Sequence, residues 1–242
     1  MRVAVTGAAG GIGKATVLKL LDGGSEVLAI DLPGTDFEYL NSKDCEILFA
    51  DVSEEEGRNG IVERSAGFEG LVNAAGRIDM KDVTSYSIED IRGIFRVNFE
   101  SVWDLTSRIG VTMPRGGAIV NVSSVGAKLT TNSNVGPYAA TKAAVLSLSR
   151  TFAFEFAVRE VRVNSICPGL IDTAMQRFVN QELALESNLS LEEVINKRTN
   201  MIPMKRLGTP EECANVIAFL LSPDSSYMTG QSINISGGWV TH

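Results

Sequence analysis

The feature that most constrains the fold of this chain is a glycine-rich turn near its beginning. Residues 2–6 (RVAVT) form an apolar, β-branched run typical of a buried strand, and Gly7, Gly11 and Gly13 follow it closely. A helical pattern of apolar residues then begins at Ile12. Glycine allows positive φ and close backbone approach, so this strand, turn and helix are predicted to bind a dinucleotide phosphate. A tight loop without a ligand would also explain the glycines, but their position between strand and helix favours the phosphate-binding turn.

The rest of the chain alternates between short apolar runs and stretches of helical periodicity. Further strands are predicted at residues 26–30, 46–50, 70–73, 118–122, 161–166 and 232–235, and helices most clearly at 88–111, 139–157 and 210–220. Strands this apolar are buried on both faces of a sheet. We therefore expect an α/β fold: one doubly wound domain over residues 1–242, with a parallel sheet of about seven strands and helices on both faces.

Residues 173–206 form an insertion between the sixth predicted strand and the last helix. The segment contains polar helical stretches at 181–186 and 191–197, and it follows the carboxyl end of a strand, where a substrate lid is expected. An ordinary pair of surface helices would explain it too. Its Leu, Met, Phe and Ile content favours a partly apolar pocket, whereas Arg177, Lys197 and Arg198 leave room for an anionic substrate.

The scarcity of histidine excludes several kinds of site. The chain has one histidine, His242, so a Ser-His-Asp or Cys-His mechanism has no internal base and a His-liganded zinc centre is excluded. Cys45, Cys167 and Cys213 are odd in number and widely scattered, which indicates neither a disulfide framework nor a metal site. Any acid/base group must therefore be a carboxylate, Lys, Tyr or Cys.

The charge balance argues against polyanionic partners. The net charge of −7 disfavours nucleic acid and anionic membranes, and no apolar segment approaches the length of a membrane span. The first residues lead directly into the predicted strand rather than into a signal sequence. We expect a cytoplasmic protein whose partner is a small molecule.

Asp31 ends the second predicted strand, about twenty residues after the glycine turn, as a dinucleotide site requires. A carboxylate there accepts hydrogen bonds from the adenosine ribose hydroxyls and repels the 2′-phosphate of NADP. Asp31 therefore predicts NAD as the cofactor. A helix-capping or solvated aspartate is the alternative interpretation.

Tyr138 and Lys142 are four residues apart in the helical stretch 139–157 and its N-terminal margin, so they share one face of the helix. A tyrosine pKa near 10 is too high for a base at neutral pH, and a cation one turn away is expected to lower it. Alone the pair is a weak motif, because such pairs are common on helix surfaces.

Taken together, these residues resemble the short-chain dehydrogenase/reductase family, which has an NAD(P)-binding Rossmann fold. The matching features, in chain order, are the turn Thr6-Gly7-Ala8-Ala9-Gly10-Gly11-Ile12-Gly13, Asp51-Val52, Asn73-Ala74-Ala75-Gly76, Asn98, Ser124, Tyr138 with Lys142, and Pro168-Gly169 through Thr173. The resemblance runs from Val3 to Gly238.

The resemblance implies a role for each of these residues. Tyr138 would be the general acid or base, and Lys142 would bind the nicotinamide ribose. Ser124 would donate a hydrogen bond to the substrate oxygen, and Asn98 would hold a water that links Lys142 to solvent. The implied cofactor-binding residues are Gly7, Gly11, Ile12, Gly13, Asp31, Asp51, Val52, Asn73, Ala74, Gly76, Tyr138, Lys142, Pro168, Gly169, Ile171 and Thr173.

Two details of the catalytic end are less regular. Ser123 and Ser124 are adjacent, and on a strand they would point to opposite faces, so only one can reach the substrate. The resemblance favours Ser124. The spacing from Ser124 to Tyr138 is one residue longer than the commonest family pattern, and residues 125–137 are expected to contribute to the substrate pocket.

The implied activity is hydride transfer between NAD(H) and a secondary alcohol or ketone of small or medium size. The alternative is a 3-oxoacyl-thioester (acyl-carrier-protein) reductase that uses NADPH. Asp31 argues against this NADPH-dependent reductase, and so does the absence of a basic residue among Ala8, Ala9 and Gly10. A non-catalytic NAD-binding sensor would be expected to lack Tyr138, Lys142 or Ser124, and all three are present.

The resemblance also implies a homotetramer or homodimer. Family members commonly associate through the helices that correspond to residues 98–113 and 139–159 and through the final strand. Trp103, Phe152, Phe154 and Phe156 suit such faces, although a buried core would explain them almost as well.

Overall fold

One parallel sheet organises the computed structural model of this chain, which describes residues 1–40, 45–130 and 132–242. The strands are β1 (Arg2–Thr6), β2 (Glu26–Asp31), β3 (Glu46–Phe49), β4 (Gly70–Asn73), β5 (Ala118–Val122), β6 (Arg162–Pro168) and β7 (Ser232–Ile235). Within the described residues they form a seven-stranded sheet in the order β3-β2-β1-β4-β5-β6-β7, and every pair is parallel. The predicted α/β fold with a doubly wound parallel sheet is confirmed.

Helices cover both faces of this sheet. They are α1 (Gly11–Asp22), α2 (Glu55–Glu63), α3 (Ile88–Phe95), α4 (Ser101–Gly110), α5 (Gly136–Phe156), α6 (Ala174–Ser187), α7 (Leu191–Asn200) and α8 (Pro210–Leu221). On one face Leu20 of α1 and Ile217 of α8 belong to the same buried cluster. On the other, Ile61 of α2, Leu105 of α4 and Leu148 of α5 pack together. Burying apolar side chains on both faces explains why the strands read as nearly continuous apolar runs.

The helical stretch predicted at 88–111 is interrupted. A π-helical turn, Arg96–Glu100, lies between α3 and α4 and contains the buried Asn98. Such bulges place one residue out of register with the helix and are frequent at functional sites. Sequence reasoning also missed α2, whose segment Glu55–Glu63 contains two glycines that weaken its helical pattern.

The predicted insertion at 173–206 folds as the two helices α6 and α7. An isolated β-bridge between Ile171 and Gly208 joins the residues that flank the two ends of the insertion, so the insertion leaves and rejoins the sheet-and-helix domain at one place. Each helix has a side-chain cap on its first turn, from Thr173 in α6 and from Ser190 in α7. The polar stretches in the sequence lie within these helices.

Two further surveys cover the described part of the chain. None of its helices is long and apolar enough to cross a membrane. Nor does that part contain a group of three or more His, Cys, Asp or Glu side chains placed to hold a metal ion.

Candidate active site

The strand order reverses between β1 and β4, and the loops that follow these two strands meet there. The chain continues from β1 to β2 on one side and from β4 to β5 on the other, which leaves a crevice at the carboxyl ends of the strands. Thr6 holds the crevice together, because its hydroxyl accepts hydrogen bonds from the amides of Ala74 (3.1 Å) and Ala75 (3.2 Å). Ligands of open α/β sheets bind at this kind of crevice.

The glycine turn tolerates no side chain at two of its predicted positions. Gly7 has a φ of +69°, and a Cβ there would lie 2.7 Å from the amide nitrogen of Ala75. A Cβ on Gly13 would lie 2.0 Å from the carbonyl oxygen of Gly7. The loop and the start of α1 are therefore packed backbone against backbone, as a turn that admits a pyrophosphate requires.

The first turn of α1 offers unpaired backbone donors to an anion. Its N-cap, Gly10, provides no capping side chain, and no acidic residue lies in the first turn. By contrast, α3, α7 and α8 are each capped by a hydroxyl and a carboxylate. The open N-terminus, with its positive helix dipole, fits the phosphates of a dinucleotide.

Asp31 stands beside the turn at the carboxyl end of β2. Its carboxylate accepts hydrogen bonds from the amides of Ala9 (2.8 Å) and Leu32 (2.8 Å), which fix its orientation. Tyr39 donates a hydrogen bond to the carbonyl of Ala8 (2.7 Å), and the Lys14 ammonium lies 4.7 Å from the centre of the Tyr39 ring. Sequence reasoning missed Tyr39, because its contact joins segments that are distant along the chain.

The side chains predicted to surround the adenine and the middle of the cofactor have different environments. Asp51 follows β3, and its carboxylate accepts the amide of Ser53 (2.8 Å), while Val52 is buried in the core. The side chain of Asn73 points into the sheet, where its amide donates to Asn121 (2.8 Å) and Thr106 (3.2 Å). The Asn73 side chain is buried there, and its oxygen has no hydrogen-bond partner among the described residues.

Tyr138 and Lys142 lie on the first turns of α5 and face the end of β5. The Lys142 ammonium donates a hydrogen bond to the carbonyl of Val122 (2.8 Å) and lies 5.6 Å from the centre of the Tyr138 ring. Ser124 follows β5, and its side chain lies close enough to the Tyr138 phenol to lower the pKa of that phenol. The three side chains that the sequence singled out are thus brought together.

The two adjacent serines have different surroundings. Ser123 is buried, and its hydroxyl donates to the carbonyl of Lys142 (2.8 Å), which leaves it inside the protein. Ser124 is only partly buried and faces Tyr138. The longer loop 125–137 forms short 3₁₀ turns at Val125–Ala127 and Ser133–Val135; residue 131 of this loop lies outside the described residues.

Burial dominates the pKa values at this site. It raises the pKa of the Tyr138 phenol above 10.0, and the Ser124 side chain only partly offsets the rise. It also lowers the pKa of Lys142 from 10.5 to about 8. The net shift of the Tyr138 pKa is upward, because loss of hydration of the phenolate is the largest effect, and the contribution of Lys142 to lowering this pKa stays a prediction.

Asn98 lies in the π turn and faces the backbone after β4. Its side-chain oxygen accepts the amide of Arg77 (2.8 Å), and its nitrogen donates to the Arg77 carbonyl (2.9 Å) and to the Thr141 hydroxyl (3.1 Å). A Cβ on the neighbouring Gly76 would lie 3.6 Å from the Lys142 ammonium and 3.7 Å from the Asn98 oxygen. Asn98 therefore ties the loop after β4 to α5 at the level of Lys142.

The remaining predicted residues join the end of β6 to the lid. Pro168 ends the strand, Gly169 packs against Ser236, and Ile171 is buried. Thr173 caps α6, and its methyl group lies 3.2 Å from the position of a Cβ on Gly11. The lid thus begins directly over the glycine turn.

Comparison with known proteins identifies the family. A family model described as enoyl-(acyl carrier protein) reductase matches residues 7–240. The chain is 37% identical to 3-oxoacyl-[acyl-carrier-protein] reductase FabG of Thermotoga maritima, over 98% of this chain and 96% of that protein. It is 34% identical to human (3R)-3-hydroxyacyl-CoA dehydrogenase, over 97% of this chain and 93% of that protein.

Solved structures agree with this assignment. A variant of actinorhodin polyketide ketoreductase, determined with NADPH, superimposes with a TM-score of 0.92 at 27% identity, over 100% of this chain and 97% of that one. The matches span nearly the full length of each partner. The chain belongs to the short-chain dehydrogenase/reductase family of oxidoreductases.

Proposed function

We propose that this chain transfers a hydride between NAD(H) and a secondary alcohol or ketone, with Tyr138 as the group that moves the proton. The observation that carries the proposal is the convergence of Ser124, Tyr138 and Lys142 beside Gly76, at the crevice where the glycine turn also lies. A bound nicotinamide cofactor would supply the hydride acceptor in oxidation and the donor in reduction.

Each side chain has a distinct part in the proton transfer. The Ser124 hydroxyl would hold the substrate oxygen against the Tyr138 phenol, which gives its proton to that oxygen in reduction and takes it back in oxidation. Lys142, fixed by the Val122 carbonyl, would bind the ribose hydroxyls next to Gly76. A positive charge brought into this desolvated site would counteract the burial that raises the Tyr138 pKa.

A Tyr138→Phe variant tests the assignment. We expect it to bind NADH as the wild type does and to lose most of its turnover of secondary alcohols with NAD⁺, because phenylalanine keeps the ring and removes the proton. NADH absorbance measures turnover, and NADH fluorescence measures binding. Turnover retained within a few-fold would contradict the role of Tyr138.

Asp31 supports NAD rather than NADP. Its carboxylate is held by two backbone amides, so it cannot easily turn away from a 2′-phosphate. Two like charges about 4 Å apart repel by roughly 1–4 kcal/mol, which is about fivefold to nearly a thousandfold in affinity. Comparing kcat/KM with NADH and NADPH tests this preference, and a clear preference for NADPH in the wild type would overturn it.

The second candidate is reduction of a 3-oxoacyl thioester. It is favoured by the T. maritima and human relatives, whose names refer to acyl-carrier-protein and acyl-CoA substrates. The two candidates are separated by acetoacetyl-CoA and a simple ketone, each offered with NADH and with NADPH. Turnover of the thioester at least tenfold more efficient, with NADPH preferred, would select this candidate.

We further propose a homotetramer. Of the four aromatic residues singled out in the sequence, Phe152 and Phe156 are buried in the core, whereas Trp103 is 44% exposed and Phe154 is 88% exposed. The last two suit contact with another copy through α4 and α5. Light scattering at micromolar concentration tests the proposal, and a monomer would refute it.

We also propose a cytoplasmic location. It is supported by the buried thiols of Cys167 and Cys213, which form no disulfide. Fractionation of the native host would test it.

A further inference from the structure

Three hydrogen bonds attach the glycine turn to the end of β2 and to the segment that follows it. The amide of Ala8 donates to the carbonyl of Ile30 at 3.1 Å. The amide of Ala9 donates to the Asp31 carboxylate at 2.8 Å, and the Tyr39 phenol donates to the carbonyl of Ala8 at 2.7 Å. The last two bonds act on one group, because the Ala8 carbonyl and the Ala9 amide belong to the same peptide unit. That peptide cannot rotate without breaking the bond to Asp31 or the bond to Tyr39.

The peptide held in this way leads directly into the open N-terminus of α1. Gly10 follows it and is the N-cap of the helix, without a capping side chain. Gly11 comes next, with a φ of +49°. Glycine has no Cβ to restrict its backbone, so these two residues do little to fix the direction of their own amides. The rigidity of the turn therefore depends on contacts from outside it.

Tyr39 is itself held in place. Its ring centre lies 5.9 Å from that of the buried Phe37, and the Lys14 ammonium of α1 lies 4.7 Å from the centre of the Tyr39 ring. Burial raises the pKa of the Tyr39 phenol above its ordinary value of 10.0, so the phenol keeps its proton at neutral pH. The hydroxyl is thus a permanent donor on a ring of fixed position.

From this geometry we propose that Tyr39 is a positioning residue of the cofactor site. By holding the Ala8 carbonyl while Asp31 holds the Ala9 amide, it fixes the peptide before α1 and orients the first amides of the helix toward a cofactor phosphate. Donors that are already ordered bind an anion more tightly, because no ordering cost is added on binding. The inference rests on the dinucleotide site of the proposed function and adds to it a residue that contacts no reacting atom.

A Tyr39→Phe variant tests the inference, because it keeps the ring and removes the hydroxyl. We expect the Kd of NADH to rise about threefold to tenfold, the range for one hydrogen bond between neutral groups. At saturating NADH, kcat should change less than about twofold, since the reacting groups are untouched. Fluorescence titration measures the Kd. An unchanged Kd, or a fall in kcat without a change in Kd, overturns the inference.

Tyr86 provides the matched control. It is also partly buried, and its phenol donates to the backbone carbonyls of Asp79 (2.7 Å) and Asn134 (2.6 Å), which lie outside the glycine turn. Tyr86→Phe and Tyr39→Phe should both lower the urea midpoint, because each leaves a backbone carbonyl without its donor. Only Tyr39→Phe should weaken NADH binding. Equal weakening in both variants would assign the loss to general destabilisation and overturn the inference.

Two fragments of the cofactor show which part of it Tyr39 affects. AMP and adenosine differ by one phosphate, and each is titrated as a competitor of NADH. We expect Tyr39→Phe to weaken AMP binding by the same factor as NADH binding and adenosine binding by less than about twofold. Equal losses for AMP and adenosine would place the effect away from the phosphate and overturn the inference.

A double-mutant cycle tests the shared peptide. Once Asp31→Ala has released the Ala9 amide, the peptide is free to rotate, so adding Tyr39→Phe should weaken NADH binding by less than it does in the wild type. Two effects that simply multiply would contradict a common peptide and overturn the inference.

These binding measurements need no turnover and separate the inference from the proposed function. If no ketone is reduced, a weaker Kd in Tyr39→Phe still supports the positioning role, and only the proposed function fails. If ketones are reduced while Tyr39→Phe binds NADH as the wild type does, only the inference fails. If the wild type prefers NADPH, the same titrations are made with NADPH.

Discussion

Replacing Gly13 by alanine should destabilise the chain and weaken cofactor binding, although alanine is the better helix former. Gly13 lies in the first turn of α1, and a Cβ there would lie 2.0 Å from the carbonyl oxygen and 2.6 Å from the carbonyl carbon of Gly7. Both atoms are backbone, and Gly7 is itself fixed at a φ of +69° against the loop after β4. No flexible side chain can move to make room.

The size of the effect follows from two opposing contributions. Alanine in a helix gains about 1 kcal/mol over glycine, whereas overpacking costs about 1–3 kcal/mol, and rigid backbone neighbours point to the upper end. The net loss is about 2 kcal/mol. For a chain of this length, 1 kcal/mol corresponds to about 2–4 °C in Tm, so Tm should fall by about 4–8 °C.

Gly60, in α2, is the matched control. The nearest atom to its Cβ position is the end of the flexible Arg64 side chain at 4.0 Å, so alanine gains helix propensity without a clash. Gly60→Ala should raise Tm by about 1–4 °C. Thermal and urea unfolding of the unliganded variants measure both changes, and NADH titration should show at least about tenfold weaker binding only for Gly13→Ala. Equal stability of the two variants would refute the steric argument.

Three further changes test other parts of the structure. Asp31→Ser should reduce the preference for NADH over NADPH by about tenfold or more, read from kcat/KM, and an unchanged ratio would show that Asp31 does not face the 2′-position. The free energy of unfolding should rise from pH 8 to pH 9.5 in the wild type more than in Lys142→Met. The reason is that the pKa of Lys142 is about 8 in the folded chain and 10.5 in the unfolded chain, so the unfolded chain binds more protons in this range. Urea midpoints that change equally with pH in the two proteins would contradict this prediction. Arg162 is buried and donates hydrogen bonds to the carbonyls of Leu220 (2.7 Å) and Ser222 (3.1 Å) at the end of α8. Arg162→Met should therefore lower the free energy of unfolding by about 2–4 kcal/mol, and an unshifted urea midpoint would show that those carbonyls find other donors.

The architecture could be predicted because its signals are local. An apolar run, a glycine turn and a helical period together specify a βαβ unit, and β1, β4, β5 and β7 have the predicted limits. The predicted limits differ most for the helices and for β6, which continues to Pro168, because the ends of these elements depend on the neighbours that each end meets.

The grouping of Ser124, Tyr138 and Lys142 was predicted from their family-like spacing, but their electrostatics were not. The pKa of a buried tyrosine depends on how much water the surrounding fold removes, and spacing along a helix carries no information about that. The same applies to Asn73, whose side chain turns toward Asn121 on the adjacent strand instead of toward the crevice.

By itself, the sequence determined the class of fold and the place of the glycine turn, and through the absence of an internal histidine it restricted the candidates for the proposed proton-transfer group. These follow from backbone geometry and residue chemistry that act over a few positions. The tertiary structure decided the break in the helix that places Asn98 against Arg77, and the contact of the Arg198 guanidinium with Asn180 between α7 and α6. Such outcomes depend on contacts between segments far apart along the chain, and only the packed fold brings those segments together.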